Sequence, residues 1–437
     1  MAKLKKELSL LTAIFYGVGI ILGAGIYVLI GQAAGIAGNG IWISFIVAAI
    51  IATFTGLSYA ELSGMFPKDA AEYVYTKKAF NRDSISFVVQ WIMIFTLIVS
   101  ASTVALGFGG YFSHIFNVSA FAAAFGLIAV LSLINYIGIR SSNKFTVIST
   151  IIEVAGLILV IILGMMFFGK NDVDYFQTTA GFGSIMAATA LIFFAYLGFE
   201  ELVNLSEETK NASKIIPKAL VISLVISTLL YILVSLSAIS IIGAEALAVS
   251  DAPLTAVVAA VIPQAGLLMS IIALFATANT VLVILIVASR MIYGLSRNNI
   301  LPPTFKKVGR TQTPYIAVLA TMLLALIFLF LGGVKTIALL TDVGIFLVYL
   351  FVNASVIWLR YKQPKTKRTF RTPLNIGKFP ILAGLGIISS FVMFMHFDPV
   401  LILYEIVVVI LGFVFYELYS KTKKHGKLRA VHFKKSL

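Results

Sequence analysis

Cysteine is absent from the 437-residue sequence, and charged residues make up only 12% of it. The first absence excludes disulfides, thiolate metal sites and cysteine nucleophiles. The four histidines are scattered, and the sequence contains neither a paired-histidine metal motif nor a phosphate-binding glycine loop. The sequence therefore gives no support for an enzyme, and it predicts no cofactor and no bound metal.

Hydrophobic residues, by contrast, make up 60% of the chain, and its mean hydropathy is +1.02. These values lie far outside the range of soluble globular proteins. Apolar runs long enough to cross a hydrocarbon core of about 30 Å recur along the whole length. They predict an all-α membrane protein with twelve spans, at 10–34, 41–65, 84–112, 119–139, 146–169, 182–204, 216–243, 264–296, 313–331, 335–359, 378–396 and 399–420.

The basic residues indicate how these spans are oriented. With a cytoplasmic N-terminus, only Lys170 and Lys335 of the 33 lysines and arginines face outward. Because cytoplasmic loops are enriched in basic residues, both termini of this multi-pass protein of the cell membrane are predicted to be cytoplasmic. The net charge of +15 points to contact with anionic lipid of the bilayer and not to nucleic acid.

Glycines interrupt the first predicted span at mid-length. Four of them lie between residues 17 and 25, where a lipid-embedded helix is normally filled with large aliphatic side chains. A broken helix exposes N–H and C=O groups, which protein, water or a ligand must satisfy inside a membrane. We expect the N–H groups around Gly23, Ala24 and Gly25 to bind a carboxylate and the carbonyls near Ile20 to bind an ammonium. The alternative is that the glycines only permit close helix packing.

The sixth predicted span carries a matching irregularity. Ala195, Tyr196 and Gly198, followed by Glu200 and Glu201, place small and acidic residues within an apolar run. Backbone carbonyls that lose their helical partners here would complete the site for the ammonium. Irregular segments at corresponding positions of the two halves of a membrane protein also indicate inverted repeats with a binding site between them. The predicted organisation is an N-terminus at 1–9, a first repeat at 10–169, a second repeat at 182–359, two added spans within 378–420 and a basic tail at 421–437.

Four motifs follow one another in an order that is typical of a known family. They are the glycine-rich run of the first span, Tyr59-Ala60-Glu61-Leu62 with Pro67, Tyr73 and Tyr75, the stretch from Phe194 through Glu200 to Pro217, and the stretch from Ala288 to Pro302. Together they resemble the amino acid–polyamine–organocation superfamily, above all its prokaryotic amino acid permeases and cationic amino acid transporters. The resemblance implies a 5+5 inverted-repeat (LeuT-like) core with discontinuous helices 1 and 6, and two C-terminal helices.

The resemblance also implies roles for single residues. Phe194 stands where related permeases place an aromatic gate over the substrate, although one phenylalanine among 34 can equally be an ordinary core residue. Glu200 matches an acidic position of cationic amino acid transporters, where it would sense pH or contact a cationic side chain. Independently of the resemblance, Asn204, Thr277, Asn279 and Thr280 lie at a plausible depth to serve as neutral ligands and are secondary candidates, although a threonine or asparagine within a span more often only bonds a neighbouring helix.

Glu153 is an isolated acid near the middle of the fifth predicted span. A charge at that depth costs about 2.5–3.5 kcal/mol unless the group is protonated or faces a polar cavity. Some proton-coupled relatives carry a lysine in this region, so glutamate departs from the family pattern. We expect Glu153 to carry the coupling proton, or to attract sodium or a cationic substrate; a neutral glutamate bonded to another helix is the alternative. Asp342 and Glu405 are assigned interhelical or helix-end roles.

These features predict a secondary active transporter that moves amino acids by alternating access. The substrate is a small molecule, and the coupling ion is H⁺, with Na⁺ as the second option. Amino acid exchange, or transport of polyamines and other organic cations, is the alternative within transport. A transporter-like sensor subunit is the alternative from another class, although the short outer loops leave little room for a receptor domain.

Overall fold

The computed structural model describes residues 8–67, 71–137, 143–297, 300–309 and 313–435, apart from the side chains of residues 143–147, 204–205, 207–208 and 422–435. Its backbone is almost entirely helical, as expected where lipid offers no hydrogen-bond partners to an open chain. The α-helices are α1 Leu10–Leu22, α2 Gly25–Ala37, α3 Ile41–Met65, α4 Ala71–Phe80, α5 Asp83–Phe116, α6 Ala120–Ile137, α7 Asn143–Met165, α8 Gly181–Ile192, α9 Ala212–Ala248, α10 Pro253–Val261, α11 Ala265–Arg297, α12 Tyr315–Phe328, α13 Val334–Lys362, α14 Ile381–Phe394 and α15 Pro399–Lys435.

Short irregular elements connect some of these helices. Single turns or short runs of 3-10 helix occupy Gly38–Gly40, Phe193–Tyr196, Glu201–Glu208, Pro303–Lys306 and Leu329–Leu331. Two strands, β1 Asn375–Ile376 and β2 Phe379–Pro380, form a small antiparallel hairpin directly before α14.

Nine helical stretches of the described residues are long and apolar enough to cross a membrane, and the first of them, Leu10–Met65, contains α1, α2 and α3. Two further apolar helices, Tyr315–Leu331 and Ile381–Phe394, are shorter. The chain is therefore an all-helical, multi-pass membrane protein, as predicted. The helix ends differ from the predicted spans by a few residues, and α15 continues through the predicted basic tail as far as Lys435.

Helix packing encloses the irregular segment of the sixth predicted span. Helix α9 packs against α1, α2, α3 and α7, while α5 packs against α11 and α13. The 3-10 segment Phe193–Tyr196 contacts α1, α2, α3 and α13. The two predicted interruptions are both present, and they lie against each other inside this helix cluster.

Candidate functional site

The first interruption lies between α1 and α2. Gly23 has φ −3° and ψ −136°, a conformation that ends α1, and α2 starts two residues later at Gly25. The first hydrogen bond of the new helix runs from the Val28 N–H to the Ala24 carbonyl. The N–H groups of the first turn of a helix have no acceptor within the helix and carry partial positive charge. The start of α2 is therefore suited to an anionic group.

The second interruption follows α8. The chain forms a 3-10 turn at Phe193–Tyr196, becomes extended at Leu197 with φ −62° and ψ 149°, and then turns at Gly198 with φ +112°. Glycine adopts this positive φ without the strain that a side chain would cause. The chain then continues as 3-10 helix over Glu201–Glu208. The predicted break in this span is therefore a stretch of several non-α residues.

The two interruptions touch at two points. A Cβ atom added to Gly25 would overlap the Cα atom of Ala195, and one added to Gly198 would overlap the Ile20 side chain. Glycine at these positions lets the two backbones approach more closely than any other residue would. The structure thus brings together four residues predicted for the substrate site: Ile20, Gly25, Ala195 and Gly198.

One side chain that the sequence does not single out joins the two interruptions. The Tyr231 hydroxyl of α9 lies 2.5 Å from the Ile21 carbonyl oxygen and 2.7 Å from the Ala195 carbonyl oxygen. A phenol has a single O–H, so it can donate fully to only one of these acceptors at a time. These carbonyls belong to the segments predicted to bind an ammonium, which carries several N–H donors. No local signal marks Tyr231, because it lies in an ordinary apolar helix.

Tyr196 and Phe194 are two aromatic residues of the second interruption. The Tyr196 hydroxyl donates to the Phe45 carbonyl at 2.9 Å, and its ring packs edge-on against Tyr231 with centroids 5.2 Å apart. This anchors the predicted site residue Tyr196 to α3. Phe194 is buried beside the break, and its role as a gate stays a prediction.

Glu200 is buried and bonded within the second interruption. Its Oε2 atom accepts hydrogen bonds from the Gly198 N–H at 3.1 Å and from the Tyr349 hydroxyl at 3.2 Å. The break is thereby fastened to α13 through a carboxyl group. The neighbouring Glu201 is also buried.

Glu153 lies against α2 and α11. It is fully buried, and the Tyr27 hydroxyl donates to its backbone carbonyl at 2.8 Å. Its carboxyl group lies near Asn279, but neither carboxyl oxygen makes a hydrogen bond of normal geometry within the described residues. The structure therefore brings Glu153 together with the secondary candidate Asn279 and with the half-helix α2.

Of two other secondary candidates, Thr277 and Asn204, only Thr277 has a described side chain. The Thr277 hydroxyl donates to the Ala273 carbonyl of its own helix at 2.7 Å. The side chain of Asn204 lies outside the part of the chain that the structure describes. Thr280, the remaining candidate of α11, approaches the first interruption, since a Cβ atom on Gly23 would lie 2.8 Å from its hydroxyl oxygen.

Glu72 is a further buried acid that the sequence does not single out. It lies in α4, outside the candidate membrane spans, and its Oε1 atom accepts a hydrogen bond from the Tyr59 hydroxyl at 3.0 Å. Burial raises the pKa of Glu72 from 4.5 to about 7. The Tyr59 ring packs edge-on against Tyr349, with centroids 6.0 Å apart, and so links Glu72 to the surroundings of Glu200.

Acids dominate the buried charged residues. Among the described side chains these are Glu61, Glu72, Glu153, Glu200, Glu201, Asp342 and Glu405, against the single base Arg360. Arg360 is held by Glu61, with N–O distances of 2.9 and 2.5 Å. No group of three or more histidine, aspartate or glutamate side chains in the described part of the chain is placed to hold a metal ion. The carboxyl groups of Glu153 and Glu405 have no hydrogen-bond partner among the described residues, and a buried acid in such a position is strongly unfavourable in its charged form.

Comparisons with known proteins agree with this architecture. Residues 8–415 match the model of the amino acid permease family. The branched-chain amino acid permease BcaP of Bacillus subtilis is 30% identical over 97% of this chain and 95% of its own length. The methylthioribose transporter of the same organism is 28% identical over 97% of this chain and 95% of its own length. The cationic amino acid transporter 4 of Mus musculus is 27% identical over 82% of this chain and 60% of its own length. These relatives are transporters and not enzymes, and the chain belongs to the amino acid permease family.

Proposed function

We propose that this permease is a secondary active transporter that moves amino acids across the cytoplasmic membrane by alternating access, coupled to protons. The observation that carries the proposal is the contact between two interrupted helices, at Gly25 with Ala195 and at Ile20 with Gly198. Interrupted helices that meet at membrane depth are a recurring way to bind a charged small molecule.

The chemistry of the two interruptions fits the two charges of an amino acid. Its carboxylate would bind the N–H groups of the first turn of α2, at Gly25 and the residues that follow. Its ammonium would bind the carbonyls of Ile21 and Ala195, which the Tyr231 hydroxyl contacts in this structure. Substrate entry would then displace Tyr231 from at least one of these carbonyls.

Coupling to protons is supported by the buried acids. Glu153 has no hydrogen-bond partner for its carboxyl group among the described residues, and Glu200 fastens the second interruption to α13. Either acid would change its contacts on gaining a proton, and both lie against elements that must move if the site is to open alternately to each side. Sodium at Glu153 is the second option for the coupling ion.

The proposed topology has twelve spans, with five in each of two inverted repeats at 10–169 and 182–359. The interruptions lie in the first span of each proposed half, which supports this division. Residues 378–420 would form two added spans, and both termini would be cytoplasmic, with the basic segment 421–437 near anionic lipid.

Uptake into liposomes tests the proposal. Purified protein should accumulate a radiolabelled amino acid when a pH gradient, acidic outside, is imposed, and a sodium gradient at equal pH should drive much less uptake. Glu153→Gln should lose pH-driven accumulation while retaining exchange of internal for external amino acid. Accumulation that is unchanged in Glu153→Gln would remove this residue from coupling.

The same assay separates the alternatives. Uptake that occurs only when amino acid is present inside the liposomes would identify an exchanger. Preference for putrescine or agmatine over all amino acids would identify a carrier of organic cations. No transport without a second protein chain would point to a sensor or to a subunit of a larger transporter.

A further inference from the structure

Tyr27 is a fully buried residue of α2 that is not among the predicted site residues. It is the third residue of this half-helix, and the first helical hydrogen bond starts one residue later, at the Val28 N–H. The Tyr27 N–H is therefore one of the groups of the first turn that have no acceptor within the helix. In the proposed function, these groups bind the carboxylate of an amino acid.

The side chain of Tyr27 extends from this first turn to α7. Its hydroxyl donates to the backbone carbonyl of Glu153 at 2.8 Å. A Cβ atom on Gly156 would lie 3.0 Å from the same hydroxyl oxygen, so glycine at this position leaves the space that the hydroxyl occupies. Tyr27 thus places a backbone donor at the substrate site and a hydroxyl group at Glu153.

A second tyrosine holds the same turn from another side. The Tyr111 hydroxyl of α5 donates to the backbone carbonyl of Tyr27 at 2.8 Å, and Tyr111 is fully buried as well. Both bonds fix the position of the first turn of α2. The bond that Tyr27 donates is the one that ends on the residue carrying the acid.

Glu153 offers the Tyr27 hydroxyl two kinds of acceptor. Its carboxyl group is close enough to interact electrostatically with this hydroxyl, yet neither carboxyl oxygen makes a hydrogen bond of normal geometry within the described residues. In this structure the hydroxyl donates to the carbonyl, as expected while the carboxyl group is protonated. A phenol has a single O–H to donate, and a carboxylate is a stronger acceptor than a carbonyl. Loss of the proton should therefore draw the hydroxyl to the carboxylate.

The helices that pack against α7 bring few titratable groups to Glu153. These helices are α1, α9, α10 and α11. Tyr231 of α9 interacts with Glu153 electrostatically, but its hydroxyl already contacts two backbone carbonyls. Helix α10 has no titratable residue, and α1 has only Tyr16. The charged residues of α9 and α11, and one further tyrosine, lie towards the helix ends, at Lys214, Lys218, Glu245, Arg290, Tyr293 and Arg297. Within the described residues, Tyr27 and the neutral Asn279 are thus placed to donate to a carboxylate at Glu153.

We propose that Tyr27 is a positioning residue that joins the coupling acid to the substrate site, because its hydroxyl moves from the carbonyl to the carboxylate of Glu153 when the proton leaves. The first turn of α2 moves with it, and Tyr27 keeps its own proton throughout. This inference rests on the proposed function, in which Glu153 exchanges the coupling proton with water. An amino acid should therefore bind more tightly when Glu153 is protonated.

The affinity of the purified protein for an amino acid, measured by isothermal titration calorimetry across the pH range in which the protein stays folded, tests this inference. Each of the common amino acids is titrated first, and the tightest binder serves as the probe. Wild-type affinity should fall by about fivefold or more as the pH rises, and Glu153→Gln should remove this fall. Glu72 and Glu200 can add a pH dependence of their own. The midpoint of the fall is therefore taken from the difference between each protein and the same protein carrying Glu153→Gln.

Tyr27→Phe keeps the ring and removes the donor. The carboxylate then loses a hydrogen bond, so Glu153 should hold its proton to higher pH, and the midpoint should rise by about one pH unit or more. Tyr111→Phe is the matched control, because it removes an equally buried hydroxyl that bonds the same turn. It should change the affinity by the same factor at every pH and leave the midpoint in place. A midpoint that is unchanged in Tyr27→Phe, or that moves equally in both variants, would overturn the proposal.

Gly156→Ala keeps the proposal testable if Tyr27→Phe does not fold. Its methyl group would lie 3.0 Å from the Tyr27 hydroxyl oxygen and displace this hydroxyl from Glu153, so the midpoint should again rise. Gly126→Ala, which has nothing within 4 Å of the added Cβ atom, should leave the midpoint in place. An unchanged midpoint in Gly156→Ala would count against the role of Tyr27.

Two further outcomes separate this inference from the proposed function. If Glu153→Gln keeps the wild-type fall in affinity, Glu153 is not the coupling acid and the role of Tyr27 fails with it, while amino acid binding stands. If none of the amino acids binds at any pH, the proposed function itself fails, and this inference fails too.

Discussion

Tyr231 shows how much of the site depends on a single hydroxyl group. Its O–H approaches one carbonyl from each interruption, at 2.5 and 2.7 Å. A buried carbonyl without a donor is costly, so this hydroxyl stabilises the ligand-free arrangement of both breaks. It also occupies the positions at which a substrate ammonium would donate.

Tyr231→Phe should therefore lower the stability of the ligand-free protein by about 1–3 kcal/mol, because the one hydroxyl donor that the two buried carbonyls share is removed. Saturating amino acid should restore most of this loss, since its ammonium supplies N–H donors to the same carbonyls. The measurement is the thermal unfolding midpoint in detergent, with and without substrate. Tyr404→Phe, a half-exposed tyrosine, is the control. Equal ligand-induced shifts in both variants and the wild type would contradict this role.

Gly25 and Gly126 form a second comparison at the residue scale. Gly25→Ala places a methyl group against the Ala195 backbone, whereas nothing lies within 4 Å of a Cβ atom on Gly126. Gly25→Ala should reduce amino acid uptake by about tenfold or more by forcing the interruptions apart. Gly126→Ala should leave uptake unchanged and stabilise α6 by about 0.5–1 kcal/mol. Similar uptake by the two variants would show that close contact between the interruptions is not needed.

At the scale of elements, Glu61 ties α3 to α13 and to the segment that follows α13. It accepts from Arg360 at 2.9 and 2.5 Å, from Arg368 at 3.1 Å and from the Thr372 N–H at 2.8 Å. A buried carboxylate with this many donors is well satisfied, and its removal leaves Arg360 unpaired in the interior.

Glu61→Gln should lower the free energy of unfolding by about 3–5 kcal/mol, because an uncompensated buried charge remains. Denaturant unfolding in detergent measures this change. Glu245→Gln, at an exposed acid, should change the same quantity by less than about 0.5 kcal/mol. A loss below 1 kcal/mol for Glu61→Gln would show that the ion pair contributes little to holding α3 and α13 together.

Helix α4 carries an acid whose protonation should affect stability. Since the pKa of Glu72 is raised from 4.5 to about 7 in the folded protein, the folded state binds more protons than the unfolded state between these values. Its contribution is therefore favourable at low pH and is lost as the pH rises towards 7.

Stability of the wild type should accordingly decline between about pH 5 and pH 7 more steeply than that of Glu72→Gln, which cannot titrate at this position. The unfolding midpoint measured across this pH range checks the difference. Parallel pH profiles of the two proteins would mean that Glu72 does not titrate there. Glu245→Gln again serves as the control, and its unfolding midpoint should vary with pH as that of the wild type does.

At the scale of the whole molecule, the sequence predicts the features that local composition determines. The length of the apolar runs predicts the helices, and glycines predict the interruptions at Gly23 and near Gly198. Both features are visible in a short stretch of sequence. Contacts between distant segments are not predictable in this way. Tyr231 meets Ile21 across 210 positions of the chain, and Tyr349 meets Glu200 across 149 positions because α13 packs along the second interruption. The burial of Glu72 likewise depends on the packing of α4 against α5 and α13.

In the proposed mechanism, the two interruptions form an amino acid site that opens to solvent during transport. Because the chain has no cysteine, Ala24→Cys provides a single thiol at the first interruption without a background reaction. In liposomes, we measure the rate at which a charged, membrane-impermeant thiol reagent modifies this cysteine, with and without the best-transported amino acid. We expect the reagent to modify the cysteine during turnover and to abolish uptake, and saturating substrate should slow the modification by about tenfold or more. Modification at the same rate with and without substrate, or full uptake after complete modification, would contradict the proposed mechanism.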